Sequence, residues 1–149
     1  MTFRRLLLSL SFLLLAPLAL AQDQQMPQVQ LTAGMYRITA ELANTPQTRQ
    51  IGLMHRQRMA EHHGMVFVFE FDAAHCMWMR NTPLPLSVAF LDSDGTILNI
   101  EDMEPQTETN HCAAQPARYA LEMNQGWFAQ RGIGAGDRIG GVSALGPGR

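Results

Sequence analysis

No lysine occurs among the 149 residues, so no ε-amine is available for a Schiff base or as a general base. The basic side chains are eleven arginines against thirteen Asp plus Glu, a formal net charge of −2. No basic run is present to follow a phosphate backbone, which speaks against a nucleic-acid partner. Aromatic residues make up only 7%, so each one on a polar stretch is informative. The nucleophile-elbow pattern G-x-S-x-G, the zinc pattern H-E-x-x-H and the redox pair C-x-x-C are all missing. Beyond residue 21 the only serines are Ser87, Ser93 and Ser143. The acidic residues Glu101, Asp102, Glu104 and Glu108 are not set opposite one another by any motif, so paired-carboxylate hydrolysis has no support. Asp92-Ser93-Asp94-Gly95 has its glycine too early for a calcium loop and reads as a turn.

The chain has one long apolar run, Leu6 to Leu20, and it stands behind Arg4 and Arg5 and before Ala19-Leu20-Ala21. That order is a basic n-region, an apolar core and an A-x-A cleavage site. The core falls short of the ~20 residues of a spanning helix. Polar Gln22-Asp23-Gln24-Gln25 follows at once. The expectation is a signal peptide over 1–21, cleaved after Ala21, with no stable membrane anchor left and a periplasmic or secreted product. Residues 22–32 are expected to be a mobile polar leader, 33–143 one globular domain and 144–149 a flexible tail.

Within the domain, Met35 to Leu42 suggests a strand, and Thr45-Pro46 is an N-cap followed by proline at the tolerated first helical position. Met65-Val66-Phe67-Val68-Phe69 is a buried strand, and residues 76–80 suggest another. Asp92 to Gly95 joins two strands as a hairpin. Ala117 to Met123 and Arg138 to Val142 add further strands, and Asn124 caps a short helix carrying Trp127 and Phe128. The predicted fold is α+β: a curled, mostly antiparallel, barrel-like sheet of about six or seven strands with two short helices.

Cys76 and Cys112 are the only cysteines, and in an exported protein an even count reads as a disulfide. The bond would close a loop of about 37 residues, worth about 3–4 kcal/mol by chain entropy. A metal alternative rests on the dipeptides His75-Cys76 and His111-Cys112, but adjacent side chains of an extended chain face opposite ways. Met54-His55, His62-His63-Gly64-Met65 and His75-Cys76-Met77 offer soft ligands, so a copper-binding protein using Met and His is a second alternative. Against it, the methionines are scattered, and methionine also fills irregular cores.

The segment that packing alone explains least is Trp78-Met79-Arg80-Asn81-Thr82-Pro83. One reading is structural: Arg80 pairs with Glu122 across strands while Asn81 and Thr82 satisfy the bend before Pro83. The other is a concave site lined by Trp78, Arg80, Asn81 and Thr82, joined by Arg49, Arg56 and Glu122, with aromatic surface for a ligand body and polar groups for its end.

Arg49-Gln50-Ile51-Gly52-Leu53-Met54-His55-Arg56 and Gly64-Met65-Val66-Phe67-Val68-Phe69 resemble the opening blocks of the family called domain of unknown function 192. Trp78 to Thr82 with Pro85-Leu86, the turn at Asp94-Gly95, Pro116 to Glu122 and Gly136-Asp137 continue the resemblance across about residues 33–142. Arg80 stands where lysine is more usual, and Met77-Trp78 where phenylalanine-tryptophan is common. The resemblance implies a compact α+β domain with a curled, largely antiparallel sheet, often exported, and brings no reaction, cofactor or catalytic residue. The expected function is a non-catalytic module binding a small molecule or a periplasmic protein. The alternative to binding is an envelope enzyme that positions substrate with Arg80 and Asn81 and uses Glu122 as base. No cofactor is implied.

Overall fold

A computed structural model describes residues 26–149. The signal segment and residues 22–25 of the polar leader lie outside the described residues. The chain opens with a hairpin of β1 (Gln28–Ala33) and β2 (Tyr36–Ala43), then α1 (Pro46–Ile51) and β3 (His63–Ala73). β4 (Cys76–Met77), β5 (Leu86–Leu91), β6 (Ile97–Met103), β7 (His111–Cys112), β8 (Ala117–Asn124) and β9 (Ile139–Gly140) follow. Seven strands form one sheet in the order β6-β5-β8-β3-β2-β1-β9. Only β2 and β3 run parallel, joined by the crossover that carries α1. At one end the two edges meet: Ile97 N donates to Asp137 O and Ile139 N to Gly95 O, both at 2.8 Å. The sheet is a curled half-barrel.

Local chemistry accounts for much of this. The Thr45 hydroxyl accepts from Thr48 N and the Thr48 hydroxyl from Thr45 N, a reciprocal cap that starts α1 at Pro46. Gly52 ends the helix at φ 48°, a conformation that costs glycine nothing. The Asp92 carboxylate accepts from Asp94 N and Thr96 N and so closes the β5–β6 turn.

Three sequence expectations are corrected. Residues 28–32, placed in the polar leader, form β1, because Leu31 and Ala33 alternate with Gln30 and Thr32 and enter the core. The second helix, around Trp127 and Phe128, is a single 3-10 turn, Ala129–Arg131, held between left-handed glycines 126 and 132. The strand over 76–80 shrinks to β4, which pairs with β7 and not with the main sheet. At the chain's end, Arg149 N donates to Asn44 O at 2.8 Å.

The sheet buries both faces. One core cluster draws on all seven strands, among them Leu31, Ile38, Val66, Leu121 and Ile139, and fills the inside of the curl. The other lies on the outside, where Met65, Phe67, Leu86, Val88 and Phe90 of β3 and β5 are covered by Leu53, Met79, Leu84 and Ala113 from loops. Cys76 and Cys112 face each other in the β4–β7 pair and are joined by a disulfide of 2.04 Å, which ties two of these covering loops together.

Candidate functional site

The outer layer is incomplete along one line. Phe67, Phe69 and Phe71 recur at a spacing of two on β3 and so share a face. Their exposures rise along the strand, 1%, 9% and 62%, as the covering loops give out. Beside them His75 lies flat on Phe69 at 3.7 Å between ring centroids, and Trp78 is 42% exposed. These aromatics, with Arg49, Glu70, Cys76 and Met77, line a groove of about 410 Å³. Arg49 forms part of its wall under restraint, donating to Val68 O at 2.9 Å and to Glu70 at 3.1 Å.

A second, smaller cavity of about 30 Å³ shares Arg49, Gln50, Phe67, Met77 and Trp78 with the groove and extends it inward to Gly52, Thr82 and Glu122. Gly52 matters here for space as well as conformation: a Cβ at this position would lie 3.3 Å from Phe67 Cζ. Glu122 comes from β8, flanked in the sheet by Met65 and Val88, and is 3% exposed. Among the described residues, no side-chain hydrogen bond or ion pair engages its carboxyl. Burial alone pushes that carboxyl up from 4.5 to about 8, so at neutral pH it is mostly the uncharged acid. An uncharged acid is no general base at pH 7, but it can give and accept hydrogen bonds.

The sequence candidates divide accordingly. Trp78, Thr82 and Glu122 come together in the inner cavity, with Arg49 on its wall. Arg80 does not reach Glu122; it is exposed, 3.5 Å from Glu108, with its guanidinium 5.6 Å from the centroid of the Trp78 ring. Asn81 is exposed and left-handed at φ 54°, and its carbonyl accepts from His55 N at 2.8 Å. Arg56 is held by Glu41 of β2 at 2.8 Å and lines neither cavity. The expected Arg80–Glu122 pair is therefore replaced by two separate arrangements, because Arg80 turns outward toward the loop that carries Glu108. Phe69 and Phe71 were not among the candidates, although the period-two phenylalanines carried the signal, and His75 was considered only as a metal ligand. The disulfide also proves to be part of the groove wall through Cys76.

The residues considered for copper are scattered: Met65 is a core residue, His62 meets Trp127 edge-on at 6.1 Å, His75 and Met77 line the groove, and Met54 lines the inner cavity. Among the described residues no group of three or more His, Cys, Asp or Glu side chains could hold a metal ion. None of the described helices is long and apolar enough to cross a membrane.

Fold and site together define a half-barrel domain with an aromatic groove that narrows onto a buried acid. The model of the DUF192 family, described as Uncharacterized ACR, matches residues 29–141. The chain belongs to this family. A crystal structure from Sinorhizobium meliloti 1021, provisionally described as a transcription regulator, is similar at 40% identity and a TM-score of 0.72, covering 78% of this chain and 93% of that one. A protein of unknown function from Novosphingobium aromaticivorans DSM 12444 is similar at 33% identity and a TM-score of 0.74, covering 84% and 93%. No curated protein matches the chain.

Proposed function

We propose that this domain is a non-catalytic binding module that takes a small amphipathic molecule in the Phe67–Phe69–Trp78 groove. The observation that carries the reading is the junction of the two cavities. An open aromatic channel leads to one buried, unpartnered polar group, the arrangement of a ligand site with an apolar body and a polar anchor. The groove volume suits a ligand of modest size. An enzymatic role has less support, because the acid is mostly protonated at neutral pH and no second catalytic group converges on it. A nucleic-acid role has little support either, with a net charge of −2 and one α-helix of six residues among the described residues.

A neutral aromatic probe, 2-phenylethanol, tests this reading on the unaltered chain by amide chemical-shift titration. Saturable shifts confined to residues 49–54, 67–71 and 75–82 are expected. Shifts that are absent, or spread over the surface without saturation, would refute it.

The domain is also proposed to act after export, in the periplasm or outside the cell. Support comes from the basic and apolar start ending in Ala19-Leu20-Ala21, and from a disulfide that suits an oxidising compartment. N-terminal sequencing of the mature protein should begin at Gln22; an intact Met1 in the purified protein would contradict it.

A further inference from the structure

Granted the groove as a binding site, the residues that line only its inner end, Ile51, Gly52, Leu53, Met54, Thr82 and Glu122, bring no free side-chain N–H, whereas the Gln50 amide and the Trp78 indole belong to exposed residues shared with the outer groove. The Glu122 carboxyl, 97% buried by its 3% exposure, has oxygens that nothing among the described residues engages. The Thr82 hydroxyl directs its own hydrogen to Arg80 O at 3.1 Å, so lone pairs are what it has left for the cavity. Phe67 and Trp78 add aromatic surface, whose faces are negative. Arg49 is the one other charged side chain on this lining, and its guanidinium is taken up by Glu70 and the Val68 carbonyl. The strands on either side of Glu122 present Met65 and Val88 next to it, and neither titrates.

The chemistry that complements such a place is a compact group with several donors and no acceptor. A cavity of about 30 Å³ admits a head about the size of a water molecule or two. An alcohol would meet only part of the acceptor surface, and a carboxylate or phosphate would bury its charge with only the single Glu122 O–H to meet it. A guanidinium is a planar fork broader than the space. A primary ammonium has three donors, no acceptor and a positive charge for the aromatic faces.

The geometry points to a primary amine as the ligand class, its ammonium seated between Glu122 and Thr82 and its apolar body lying along Phe67, Phe69 and Trp78. This assignment rests on the groove reading above. The free site holds Glu122 as the carboxylic acid. On binding, its O–H bond breaks, the proton passes to solvent, and the carboxylate pairs with the ammonium, so one proton leaves for each cation taken up.

Calorimetric titration of the full chain with 2-phenylethylamine and 2-phenylethanol, at pH 6, 7 and 8, tests this. The amine, like a lysine side chain, stays protonated throughout that range. At pH 8 it should bind at least about tenfold more tightly than the alcohol, as a charge-assisted hydrogen bond does relative to a neutral one. Its affinity should rise about tenfold from pH 6 to pH 7, because each unit makes removal of the Glu122 proton that much easier. Buffers of different ionisation enthalpy should report about one proton released at pH 6. In Glu122→Gln both the preference for amine and its pH dependence should vanish. Equal affinities in the wild-type chain, or an amine preference that survives in Glu122→Gln, would overturn the ammonium assignment and leave the groove standing. Failure of both probes to bind would overturn the two together.

Discussion

Leu121 and Glu122 are adjacent on β8, and the sheet sends them into two layers built in different ways. Leu121 enters the inside of the curl, where most of the core comes from the sheet itself and the rest from the Trp127–Phe128 turn, Ile133, Val142 and Leu145. Glu122 enters the outer layer, which loops close. Both residues are nearly inaccessible, at 0% and 3% exposure, so burial does not separate them. What separates them is the cover. Around Glu122 irregular chain pinned at a few points leaves a gap, and that gap adjoins the groove. On the reading proposed above, the loop-covered face is the one that recognises a ligand, and the inner face serves stability.

The comparison breaks most directly at Leu121. Leu121→Ala removes a fully buried side chain from a core with nowhere to collapse, and it should cost about 3–4 kcal/mol in urea unfolding. A loss below about 1 kcal/mol would mean that the inside of the curl is as loosely closed as the outside.

One residue further on, the sign should reverse. The folded-state pKa of Glu122 is raised, from 4.5 to about 8, so the native state holds a proton that the unfolded chain releases on the way up that range. Stability is therefore undiminished below pH 4.5 and falls as pH rises toward 8, by about 1.4 kcal/mol per unit, after which the loss is complete. Glutamine cannot ionise. Glu122→Gln should thus be more stable than wild type at pH 7, by about 3 kcal/mol, and equal to it near pH 4. Unfolding curves at pH 4, 7 and 9 measure the difference; parallel profiles for the two proteins would show that Glu122 is neither buried nor uncharged in solution.

What could be read from the sequence follows the same division. The Thr45-Pro46 helix start, the Asp92–Gly95 turn and the buried β3 depend on neighbouring residues, and all three are found. β1 escaped because Gln28 and Gln30 give it the composition of a linker, and only pairing with β2 reveals its buried side. The second helix failed because Gly126 and Gly132 leave room for one turn. At the site, Trp78, Thr82 and Glu122 were legible as unusual residues, but their meeting depends on β8 lying beside β3, which no local pattern encodes. Arg80 was misplaced for a related reason. Its partner Glu108 arrives on the loop between β6 and β7, far along the chain. The phenylalanine series of β3 showed its periodicity, but not where the cover ends.

Asn81 sharpens the comparison at the smallest scale, because it fixes the cover and not the groove. It holds φ 54° and His55 holds φ 64°, and the His55 amide donates to the Asn81 carbonyl, so two left-handed residues clasp the loops over the outer layer. Asparagine tolerates that conformation better than other side chains, and glycine tolerates it best. Asn81→Ala should therefore lower stability by about 1 kcal/mol, while Asn81→Gly should stay within a few tenths of wild type. Chemical unfolding of the two variants side by side separates backbone from amide. Equal losses in both would assign the role to a structural hydrogen bond of the side-chain amide, and no loss in either would leave that amide free to face a ligand.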